Sequence, residues 1–207
     1  MYIRENPSLG QPVRQPAPAK LPPRRYRDQI QFVEVTDVRP SSSHGRVALS
    51  FRPAGRMDDA KKQRFIKRFI DPMLKHKLGV NLLIRLNRGN HFVNIAWGNG
   101  GFRFNGTVPH NRKDAAGGGG SGATIFIDEQ APDLSRLQTL KDNPDVLLFH
   151  ELVHALHIQL GTLVNDEAEM ERRVIGIGKY SKWKRTENAY RDARGLPARC
   201  CRDRETL

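Results

Sequence analysis

The chain has 207 residues, with 35 Lys and Arg against 22 Asp and Glu, a formal net charge of +13. That length suits one domain around a single core; the mean hydropathy is −0.61, and no apolar run nears the roughly 18 residues of a membrane span, so no such span is expected. The two cysteines, Cys200 and Cys201, are adjacent, which excludes a disulfide framework and a cysteine-ligated zinc ribbon.

A sequence pI near 10.3 admits nucleic acid, an anionic membrane or an acidic protein as partner. Residues 56–77 carry eight Lys/Arg against three Asp, and residues 179–207 carry nine against four acids. Charge spread in this way suits solvated faces as well as a binding surface.

Residues 1–28 hold six of the 13 prolines amid Gln, Ala and Arg. Few apolar side chains remain there to offset the entropy of ordering, so a disordered Pro-rich segment is expected, with an export signal as its functional alternative. No apolar stretch of a secretory signal peptide follows Met1. Residues 29–207 read as the folded domain. Ile30–Val38 and Arg46–Arg52 read as strands joined by a hairpin-like connection. Met57–His76 reads as an amphipathic helix that Pro72 bends or ends. Val80–Leu86, His91–Trp97, Phe102–Thr107 and Ala123–Asp128 read as short strands of a mixed sheet, and Ala115–Gly122 as a flexible loop. The last third reads as helical, over 144–160, over 165–175 and from the N-cap Thr186 to Gly195. The expected class is α+β.

The chemistry lies in His150-Glu151-Leu152-Val153-His154, an HExxH segment on the first of these helices. Four residues make nearly one turn, so both imidazoles leave the same face and can share a metal. Neutral imidazole is a good zinc ligand. The Glu151 carboxylate can serve as base toward a metal-activated water. His, Glu and His on an apolar helix are costly to bury without such a use. His157, three residues beyond His154, reads as a histidine that packs beside the site or supports it. A third ligand must come from elsewhere. Asp166, Glu167, Glu169 and Glu171 cluster on the following helix. Glu171, just before Val174 and Ile175, falls on the side expected to be buried and is the first choice; Glu187, at the start of the last helix, is the rival. Tyr190 or Arg191, with Tyr180 behind them, are candidates to stabilise an oxyanion. Ala123–Asp128 is a candidate edge strand for an extended substrate.

The blocks LLFHELVHALHIQLGT, EMERRVIGIG and TENAYRDARGLPAR together resemble the NleD-like zinc metalloproteases, effectors that bacterial pathogens inject through type III secretion. The resemblance covers residues 146–199. It implies a zincin-like fold and a zinc endopeptidase acting in the host cytoplasm, with activation loops of mitogen-activated protein kinases as the substrate class. It carries His150 and His154 over as ligands of one zinc ion and Glu151 as the catalytic glutamate. Met170-Glu171 stands where the family often has paired glutamates, and Cys200-Cys201-Arg202 follows the LPAR block where members often have a tyrosine. The alternatives are a DNA-associated protease of the SprT-like kind and a basic nucleic-acid-binding module with an inactive HExxH.

Overall fold

The computed structural model describes residues 50–51, 59–98, 105–128 and 142–200. The Pro-rich segment, the Ile30–Val38 strand, the hairpin after it and Cys201 lie outside the described residues.

The described elements form a mixed α+β structure. Its sheet has the order β1-β2-β4-β3, made of β1 (Ser50–Phe51), β2 (Val93–Gly98), β3 (Gly106–Pro109) and β4 (Ala123–Asp128). β1 and β4 run parallel to β2, and β3 runs antiparallel to β4. Ala123–Asp128 is therefore an interior strand, paired on both sides. The expectation that it offers an edge is corrected: the edge beside β4 belongs to β3, whose Val108 is 45% exposed. Strand periodicity sends Ala123, Ile125 and Ile127 into the core with Val93 and Ile95 of β2. Each such buried Ile or Val contributes about 1.5–3 kcal/mol.

The expected helix at Met57–His76 is interrupted. α1 (Asp59–Phe65) passes into a π turn at Ile66–Ile70 and then into α2 (Asp71–Leu74), with Pro72 in its first turn. Proline has no N–H to donate back along the helix, and the wider turn precedes it. Val80–Leu86, expected as a strand, lies within helix α3 (Lys77–Asn87). Leu82, Leu83 and Leu86 are buried at helical spacing, and a short Leu-rich run satisfies both periods until packing chooses. Gly79 lets α3 start against α2, for a Cβ there would lie 2.3 Å from the Met73 carbonyl oxygen.

The loop expected over Ala115–Gly122 is also different. α4 (Arg112–Ala116) is capped by Asn111, whose side chain accepts from the backbone N–H groups of Lys113 and Asp114. The glycines after it are pinned to the end of the central helix: Ser121 N–H donates to the Ile158 carbonyl at 3.0 Å and Gly118 N–H to that of Gly161 at 3.1 Å.

That central helix, α5 (Pro144–Gln159), is buried over most of its surface. It packs on β3, β4, α3 and the π turn. α6 (Glu167–Ile175) starts at the Asp166 cap and ends at Gly176 with φ +83°. α7 (Glu187–Ala193) starts at Thr186, whose hydroxyl accepts from Ala189 N–H at 3.2 Å. Both pack on α5, so residues from α6 and α7 meet the HExxH turn from two sides. Among the described residues no helix is long and apolar enough to cross a membrane.

Candidate metal centre

His150 and His154 leave α5 one turn apart, and their Nε2 atoms stand 3.1 Å from each other. Glu171 reaches in from α6, with Oε1 3.0 Å from His154 Nε2 and Oε2 3.6 Å from His150 Nε2. Ligands about 2.0–2.1 Å from a tetrahedral ion are about 3.3 Å from one another, and these three separations bracket that value. His150, His154 and Glu171 could therefore hold a metal ion.

The donor set is also oriented for a metal. His150 Nδ1 donates to Glu187 Oε2 at 2.8 Å, which turns Nε2 toward His154 and Glu171; once that nitrogen gives up its proton, it carries the lone pair a metal needs. Two imidazole nitrogens and a carboxylate converging so closely need either a proton or a metal cation between them. The protonation tendencies express the same demand. Burial opposes a charged His150, yet Glu171, followed by Glu187, outweighs it and raises the imidazole to about 10. Burial likewise disfavours the Glu171 carboxylate, but His150 and His154 hold it well below the usual carboxylate range.

Glu187 is 0% exposed and fully engaged. Besides His150, it accepts from Arg191 Nε at 2.6 Å and Arg199 Nη1 at 3.1 Å. Burial raises its pKa, but the His150 hydrogen bond and the two guanidiniums hold it down at about 2. Glu187 thus sits behind His150, on the nitrogen turned away from Glu171.

Glu151 is also buried. Its Oε2 accepts from the Thr107 hydroxyl of β3 at 2.7 Å. His157 lies one turn past His154 with Nδ1 2.9 Å from Thr162 Oγ1. Burial, then Arg173 and His154, lower it to about 4, so it is neutral at ordinary pH. Glu169 holds Lys179, Arg172 and the Tyr180 hydroxyl, and Glu167 and Asp166 are exposed; none of these three acids joins the cluster.

The oxyanion candidates lie in packing and hydrogen-bond contacts of their own. Tyr190 is 0% exposed, stacks on Phe149 at 4.2 Å and donates to Asp145 Oδ2 at 2.7 Å. Arg191 is buried with its guanidinium on Glu187. Tyr180 is buried and hydrogen-bonded to Glu169. Their small motif-to-motif distance in sequence is met by packing: these side chains knit α5, α6 and α7 together. Thr107, Asp145 and Arg199 were not legible as site partners, because each owes its place to a pairing over 12 or more residues.

No protein-family model, curated protein or solved structure matches this chain.

Proposed function

We propose that the chain is a zinc-dependent endopeptidase, with His150, His154 and Glu171 as its metal ligands and Glu151 as its general base. The observation that carries this reading is the convergence of His150 Nε2, His154 Nε2 and a Glu171 oxygen within 4.8 Å of one another, with the HExxH glutamate next to His150 in sequence. Two imidazoles and one carboxylate are a donor set for catalytic zinc that leaves a position open. When bound there, zinc would supply a Lewis acid and acidify a water. Glu151 takes the proton of that water as its oxygen adds to the scissile carbonyl carbon. It returns the proton to the amide nitrogen as the C–N bond breaks.

The arrangement supports a zincin-like reading of residues 29–207: a mixed sheet, an antiparallel strand at its edge, and the HExxH helix packed against that strand. β3 is the candidate docking strand, since an extended peptide can add to a sheet edge through main-chain hydrogen bonds. The resemblance to NleD-like effectors extends the proposal to a virulence protein delivered by type III secretion into host cytoplasm, with kinase activation loops as substrates. The basic faces would attract acidic partner surfaces, an effect that weakens with salt.

The test compares wild type with Glu151→Gln, which lacks only the base. Both should bind one zinc per chain. Only wild type should cut a denatured protein panel, with a loss in the variant on the order of 10²–10⁴-fold. Equal turnover by the two proteins defeats the mechanism. Incubation with purified mitogen-activated protein kinases, followed by mass spectrometry of the fragments, tests the substrate class; intact kinases in every case remove it and leave the peptidase reading.

A further inference from the structure

Glu151 is 5% exposed, and its helical neighbours Phe149, Leu152 and Val153 offer its carboxylate no hydrogen bond. Among the described residues, its side chain is bonded to Thr107 alone. We propose that Thr107 is the positioning residue that aims the base, an inference that rests on the peptidase reading above.

The argument starts from the single proton of a threonine hydroxyl. Two acceptors lie in range: Glu151 Oε2 at 2.7 Å and the Glu151 backbone oxygen at 3.0 Å. The backbone oxygen is inside α5, where the helix already supplies it with an N–H donor four residues on. The carboxylate oxygen is nearer and charged, so it is the stronger acceptor. The proton goes to Oε2. That bond fixes the last torsion of the glutamate and occupies one of its two oxygens. Oε1 is left as the oxygen that can receive a proton from water. Without the hydroxyl, the carboxylate would be free to turn about this torsion, and a buried anion would be left unpaired.

Thr107 belongs to β3, the edge strand of the sheet. The strand that would receive a substrate backbone therefore also holds the base. A peptide paired with β3 is placed relative to Glu151 through one short, common element. Such coupling is what keeps reacting groups in near-attack geometry, where a displacement of about 1 Å can cost on the order of 100-fold in rate.

The test uses Thr107→Val and Thr107→Ser in the full zinc-loaded chain, with fluorescein-labelled casein as the probe. Valine keeps the shape and removes the donor; serine keeps the donor. Thr107→Val should lower kcat about 10–100-fold while KM stays within about twofold, and Thr107→Ser should stay within about threefold of wild type. Zinc affinity by chelator competition should be unchanged in both. A four-member cycle of wild type, Thr107→Val, Glu151→Gln and the double variant, read from unfolding midpoints, should be non-additive. Full kcat in Thr107→Val overturns the assignment. So does a serine variant as slow as valine, which would make the methyl contact the cause, and so do additive midpoints. A wild type that cuts nothing defeats the peptidase reading itself and this role with it, an outcome distinct from an active wild type beside an equally active valine variant.

Discussion

His150 donates its Nδ1–H to Glu187 Oε2, 37 residues further along the chain, at 2.8 Å, while its other nitrogen faces Glu171 across the candidate ion site. The two carboxylates named as rivals for one role thus hold opposite sides of the same ring.

Replacing Glu171 by alanine should remove a ligand. Zinc affinity in chelator competition should fall by more than the roughly 10–100-fold typical of outer partners, with little change in the folding of the metal-free protein, because Glu171 lies at the edge of the core. Unchanged affinity would falsify its assignment as ligand.

Glu187→Ala should behave differently. It frees the His150 ring to turn and should weaken zinc binding about 10–100-fold. It also strands the guanidiniums of Arg191 and Arg199 against a buried void, at a cost of about 3 kcal/mol in chemical denaturation. A variant with full stability would show that this buried pairing contributes nothing net.

Tyr190→Phe should leave kcat and KM at wild-type values, since the hydroxyl is spent on Asp145. It should lower stability by about 1 kcal/mol, as Arg194 still pairs with Asp145. A loss of kcat with unchanged stability would restore a catalytic part for this tyrosine.

His157 predicts a pH effect on stability. It titrates near 4 in the fold and near 6.5 when unfolded. Between those values the unfolded chain binds the extra proton, so this group's contribution to stability falls as pH drops from about 6.5 to 4 and is flat above that range. In His157→Asn this component disappears. The check is the difference between the two stability–pH curves; a constant difference across the window contradicts the neutral state of the half-buried imidazole.

The elements that sequence reading locates well are those whose period and punctuation agree. Ala123–Asp128 is a short run rich in β-branched residues whose burial alternates over most of its length, and Pro144 and Gly161 bracket α5, so their ends follow from local chemistry alone. Glu171 was legible because Val174 and Ile175 mark the inward side of its helix. Val80–Leu86 failed because seven residues with both β-branched and Leu side chains fit either period. Ala115–Gly122 failed because glycine signals freedom, while the N–H groups of Ser121 and Gly118 are held by the carbonyls of Ile158 and Gly161, some 40 residues away. Tyr190 and Arg191 fall on the last helix by sequence, but only packing decides that they face Asp145 and Glu187.

His154 and Glu171 are 17 residues apart, whereas Thr107 and Glu151 are 44 apart. Closing the shorter loop costs only about 0.8 kcal/mol less chain entropy, but the turn at Gly161 and the cap at Asp166 already direct it. On the proposed reading, ion capture would be a local event, and seating of the base a long-range one that waits for the sheet. A chain that had gathered its ion would not thereby be competent, and bound metal alone would be no gauge of how many molecules are.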